Sequence, residues 1–190
     1  MKKVNLLIAP AAAAFFATGA FATGELIEID VTGWTAGGAI GDPDNTTLSL
    51  DLNSIFGAAG AQGGTITGFG WDVTIQTVGA SWQSEATFEV GDSIGDAANI
   101  LVSPGATQGT PGTGTFSSDG ILKLSDVGLD DIVIADGIVE IELFDSFDDA
   151  PGVDAFVDGT FIIQFQPVPA PAALGLLGVA GFAARRRRRG

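Results

Sequence analysis

Carboxylates are the reactive groups this chain carries in number. Its 190 residues include 23 Asp and Glu but no Cys, His or Tyr. Without His there is no Ser-His-Asp relay, no Cys-His nucleophile and no ordinary zinc site. Carboxylates, hydroxyls and main-chain oxygens suit a hard cation such as calcium. The densest acidic stretch holds Asp145, Asp148, Asp149, Asp154 and Asp158, and Asp148-Asp149-Ala150-Pro151-Gly152 within it reads as a calcium-ligand loop. The spacing is not that of an EF-hand, and a plain solvated acidic loop is the alternative reading.

Two carboxylates about 5–10 Å apart serve a glycosidase. Here no marker selects a pair from the many acids, and no His or Tyr supports a substrate, so a non-enzymatic role is expected. No Gly-rich phosphate loop follows a strand and opens a helix, which leaves nucleotide binding without support. Trp34, Trp71 and Trp82 are the residues able to stack on sugar rings. Trp71 shares strand parity with Phe69 and Val73, and Trp82 with Ala86 and Phe88, so both are assigned to the core. Trp34, beside Gly33 and Gly37-Gly38, is the candidate for sugar stacking.

These residues sit on a body whose apolar pattern is that of strands. Ile27, Ile29 and Val31 alternate with acids and Thr. Leu48, Leu50 and Leu52 do likewise, as do Phe69, Trp71, Val73 and Ile75, and Ala86, Phe88 and Val90. Period two makes one face apolar and the other wet. Asp136-Gly137 and Asp158-Gly159 are two-residue hairpin signals. The first predicts Ile134 opposite Val139 and Ile132 opposite Ile141, with Asp131 facing Glu142 on the wet side; the second predicts Phe156 opposite Phe161. Asp119-Gly120 fits a longer loop, because a tight turn would set Phe116 against Lys123. Ser103 to Thr115, rich in Gly and Pro, reads as a surface loop. Short strands between Gly-rich turns predict an all-β fold, an antiparallel β-sandwich or jelly roll, over residues 23–166. No convincing internal repeat stands out.

The two ends differ from this body. Lys2 and Lys3 precede an apolar run from Val4 to Ala17, and Ala20-Phe21-Ala22 places small residues where a signal peptidase reads them. Residues 1–22 are therefore expected to be a signal peptide cut after Ala22. Apart from those two lysines and the C-terminal arginines, Lys123 is the sole basic residue against 23 acids. Such a body repels nucleic acid and anionic lipid.

Residues 167–190 hold Val168-Pro169-Ala170-Pro171, an Ala/Leu/Gly-rich run from Ala172 to Ala184, and Arg185, Arg186, Arg187, Arg188 and Arg189. The run is shorter than the roughly 20 residues of a comfortable span. It can still form a transmembrane helix with the arginines held on the cytoplasmic side. This arrangement resembles the PEP-CTERM sorting signal handled by exosortases, with Ala170 where the namesake motif has Glu. The resemblance implies a Gram-negative host that makes extracellular polysaccharide. It also implies transient residence in the inner membrane and cutting near Val168 to Pro171 by an exosortase-like membrane protease or transpeptidase. The domain would then be released or re-anchored at the cell surface. The expected function is a structural protein of the surface or extracellular matrix, linked to exopolysaccharide or biofilm. A calcium-dependent carbohydrate-binding module is the alternative.

Overall fold

The computed structural model describes residues 24–57, 62–96, 98–148 and 152–168. The alternating runs form strands, because side chains of period two bury one face of a pleated ribbon. In chain order these are β1 (Glu25–Asp30), β2 (Trp34–Ala36), β3 (Thr46–Asp51), β4 (Gly64–Thr77), β5 (Ala86–Gly91) and β6 (Ile100–Val102). They are followed by β7 (Thr113–Ser117), β8 (Leu122–Lys123), β9 (Ile132–Ile134), β10 (Ile138–Asp145) and β11 (Ala155–Pro167). One short helix, α1 (Leu52–Phe56), follows β3. It is capped by Asp51, whose carboxylate accepts from Asn53 N at 2.8 Å and Ser54 Oγ at 2.7 Å.

The strands make two antiparallel sheets. The larger has β1 and β2 along one side of β11, then β4, then β7, β8 and β9 in succession along the far side of β4. The smaller runs β3-β10-β5-β6. If collinear segments are counted together, eight ribbons pair first with last, second with seventh, third with sixth and fourth with fifth. Nested pairing of this kind is the order of a jelly roll. One core lies between the sheets. Ile29, Phe69, Val73, Ile75, Phe161, Ile163 and Phe165 of the larger sheet meet Leu50, Phe88, Val90, Val139, Ile141 and Leu143 of the smaller. Phe88 stacks on Phe161 at 4.5 Å between ring centroids, and Trp34 tilts against Phe88 at 6.1 Å, so aromatic rings join the two sheets.

The apolar assignments hold: Ile132, Ile134, Val139, Ile141 and Leu143 are all buried. The two expected hairpins are not formed. Asp136-Gly137 is a corner between sheets, since β9 pairs with β4 whereas β10 pairs with β3 and β5. Gly137 has φ 81° and Asp136 Oδ1 accepts from Ile138 N, so the local turn chemistry is satisfied by a crossing as well as by a hairpin. Asp131 consequently does not face Glu142. Asp158-Gly159 lies inside the continuous strand β11, so Phe156 does not face Phe161. A Cβ on Gly159 would stand 2.3 Å from the Asp72 carbonyl oxygen, so this glycine serves the close approach of β4. Asp119-Gly120 separates β7 from β8 along one edge, in keeping with the longer loop expected there.

Candidate functional site

The outer face of the smaller sheet departs most from the sequence reading. Alternation places Thr87, Glu89 and Glu142 on the wet side, yet all three are buried, Glu89 at 2% and Glu142 at 0% exposure. Glu142 lies directly opposite Glu89 across the β10–β5 pair. Residues opposite each other in antiparallel strands project to the same face, with Cβ atoms about 4.5–5.5 Å apart. Two buried glutamates therefore rise from neighbouring positions on one face.

Two loops cover them, and the loops match. Ile40-Gly41-Asp42-Pro43-Asp44-Asn45 precedes β3, and Ile94-Gly95-Asp96-Ala97-Ala98-Asn99 precedes β6. In each, the Asp carboxylate accepts from the N–H two residues on, and the Asn N–H bonds back to the Asp carbonyl. Gly41 and Gly95 hold φ 85° and 80°, the left-handed region that favours glycine. Gly41 N donates to Glu142 Oε1 at 2.7 Å and Asn45 Nδ2 donates to the same oxygen at 2.5 Å. Gly95 N and Asn99 Nδ2 donate to Glu89 Oε1, both at 2.9 Å. The register agrees too: Glu142 stands beside Thr47 and Glu89 beside Leu101, each two residues past its loop's Asn. The strand order β3-β10-β5-β6 thus carries a pseudo-two-fold axis between its central strands. The six-residue match Ile-Gly-Asp-x-x-Asn is the signal that sequence reading missed.

Each glutamate has one oxygen secured. Glu89 Oε2 and Glu142 Oε2 are buried and have no hydrogen-bond partner among the described residues. Both atoms are buried, so a bulky sugar substrate does not reach them, and this pair is not arranged as a glycosidase dyad.

Beside the pair is a groove of about 440 Å³, lined among others by the buried Thr87, Phe144 and Asp145 and the exposed Ile40 and Leu101. The acids of the expected calcium loop are divided. Asp145 and Asp154 are both 0% exposed, and both hang from the end of β2: Asp145 N donates to Gly38 O at 2.9 Å and Asp154 N to Ala36 O at 2.8 Å. Ser81 Oγ donates to Asp154 Oδ1, and Phe147 N to Asp145 Oδ1. Asp148 is exposed, and Asp149 lies outside the described residues. Asp158 is exposed and accepts from Gly33 N at 2.7 Å, which ties the break between β1 and β2 to β11. Among the described residues no group of three or more acids converges as a metal cage.

Trp34 is 4% exposed and packed on Phe88, so it has no face to offer a sugar; strand β2 carries it inward, where the flanking glycines suggested a free loop. Trp82 is the exposed tryptophan, at 47%, because it precedes β5 and the strand's parity does not reach it. Val168 is exposed, and its N–H donates to Gly63 O at 3.1 Å. Ala20, Ala22, Pro169, Ala170, Pro171 and the five arginines lie outside the described residues. No helix among the described residues is long and apolar enough to cross a membrane.

No family model and no curated protein matches the chain. Among solved structures, the Tobacco streak virus coat protein is similar at 12% identity, over 80% of this chain and 93% of that one, with a TM-score of 0.27. The Cocksfoot mottle virus structure is similar at 12% identity, over 87% and 97%, with a TM-score of 0.23. At these scores neither likeness bears on function.

Proposed function

We propose that the chain is an exported structural protein of the cell surface or extracellular matrix, sorted through its C-terminal tail by an exosortase-like membrane enzyme and associated with polysaccharide. The observation that carries this reading is the fit between the two addresses and the folded body. The sheet starts at Glu25, just past the expected cut after Ala22, and ends at Pro167, just before the Pro-rich motif. Glu25 pairs with Phe165, so the two ends of the sandwich nearest the addresses lie side by side. A single acidic body that repels anionic lipid then hangs clear of the membrane during processing.

The experiment is expression of the full chain in a Gram-negative host with and without an exosortase. The exported protein is expected to begin at Thr23 and, with the enzyme present, to end between Val168 and Pro171. A chain lacking residues 172–190 is expected to escape this processing. Identical location and C-terminus for truncated and full-length protein would overturn the sorting reading.

A calcium-dependent carbohydrate-binding module is the second reading, favoured by the groove, where the exposed Leu101 and Ile40 offer apolar contact beside the half-buried Ser84 and Ser103. Glycan-array binding that needs calcium and is abolished by Leu101→Asp would support it over a purely structural role.

A further inference from the structure

We propose that Glu89 and Glu142 bind a divalent hard cation, with calcium as the fitting ion, between the two matched loops on the pseudo-two-fold axis. This site is separate from the acidic stretch around Asp145 and Asp154, and it stands whatever the route of export.

Three observations carry the inference. The two glutamates stand directly opposite each other in register, on the same face, and are almost wholly buried. Like charges directly opposite across a strand pair are destabilising, and a buried charge without a counter-charge more so. Lys123, the sole basic side chain among the described residues, lies on β8 in the other sheet. Within each carboxylate the two oxygens then differ. Oε1 is held by a Gly N–H and an Asn amide, which fixes the side chain's rotation, and Oε2 is buried with no hydrogen-bond partner among the described residues. Buried polar atoms are otherwise satisfied almost without exception. Finally, the same loop is used twice, once for each glutamate, so the arrangement is a repeated device for presenting a carboxylate oxygen.

A cation lying between the two Oε2 atoms would neutralise both charges and give both oxygens a partner. Calcium takes about six to eight oxygen ligands in flexible geometry and completes its shell with water or main-chain oxygens, so two carboxylates are enough protein charge to start a site. Oxygen donors alone do not favour zinc or copper.

The test is calcium titration calorimetry on the full chain, with thermal melts in calcium chloride, in chelator, and in sodium chloride at matched ionic strength. Wild-type protein is expected to show saturable binding and a melting-temperature rise greater than the salt control. Glu89→Gln keeps the shape of the side chain and lets its amide donate towards Glu142. This variant should weaken calcium binding at least tenfold while melting in chelator no lower than wild type. Glu142→Gln should behave in the same way, so either variant serves if the other fails to fold. Asp154→Asn, in the separate acidic stretch, should leave the calorimetric binding in place. A calcium response that survives both Gln variants, one that is lost in Asp154→Asn, or a wild-type response no larger than that of sodium chloride would overturn the proposal.

Discussion

The matched loops make unequal use of their asparagines, and that inequality predicts an order of stabilities. Asn99 Nδ2 donates to Glu89 Oε1 at 2.9 Å and to Ser93 O at 2.5 Å. Asn45 makes the equivalent pair, to Glu142 Oε1 at 2.5 Å and Ala39 O at 2.9 Å. In addition, Asn45 Oδ1 accepts from Gly37 N at 2.8 Å, with a longer contact to Gly38 N at 3.3 Å. A hydrogen bond to a charged group contributes about 1.5–3 kcal/mol and a neutral one about 0.5–1.5 kcal/mol. Asn99→Ala should therefore cost about 2–4 kcal/mol, and Asn45→Ala about 1 kcal/mol more. For a domain of this size each kcal/mol lowers the melting temperature by about 2–4 °C. Urea unfolding of both variants in chelator, read by Trp fluorescence, measures the difference directly. Equal losses, or a larger loss for Asn99→Ala, would refute the claim that the extra Asn45 contacts hold the first loop; losses under about 0.5 kcal/mol in both would refute the loop-to-glutamate contacts as stabilising elements.

Three further outcomes are expected. Phe161→Ala removes a ring that is 0% exposed and stacked on both Phe88 and Phe69, and should destabilise the sandwich by about 3–5 kcal/mol in the same urea assay. A Cβ on Gly91 would stand 1.5 Å from Asn99 Oδ1, so Gly91→Ala should cost about 1–3 kcal/mol in wild type and measurably less in an Asn99→Ala background, as a double-mutant cycle would show. The Ser54 hydroxyl holds the Asp51 carboxyl below its usual value of 3.8. The stability from this cap is thus present above that value and lost as the pH falls through the lower folded value, so Asp51→Ala should melt below wild type at pH 7 and the gap should narrow on acidification.

The sequence made the core legible because its signal is local. Ile27, Ile29, Val73, Phe88 and Ile141 alternate with polar neighbours, and each is buried. Pairing was less legible. Asp136-Gly137 satisfies its own hydrogen bond whether the chain doubles back or crosses to the other sheet, and the choice depends on β4, some 60–70 residues away. The Glu89–Glu142 site was hidden for a similar reason. Alternation states which way a side chain points, but the burial of these two comes from loops folded over that face. The repeated Ile-Gly-Asp-x-x-Asn was present in the sequence, yet two matches of six residues with free middle positions gain meaning only once each is seen to end on a glutamate. Trp34 and Trp82 exchanged roles because strand parity was extended across a turn in one case and denied to a short strand in the other.

The placement of β11 has a mechanical consequence. It is the last strand among the described residues, and it is bonded along both edges, to β1 and β2 on one side and to β4 over thirteen residue pairs on the other. Any pull applied through residue 168 runs along that strand. It loads rows of hydrogen bonds on two sides in shear, together, instead of opening them one at a time from a free edge. The first strand, β1, is an outer strand of the same sheet and would peel far more readily. A domain tethered by its tail would thus meet drag from flowing medium at its strongest attachment, whereas the same domain held by its other end would yield at its weakest.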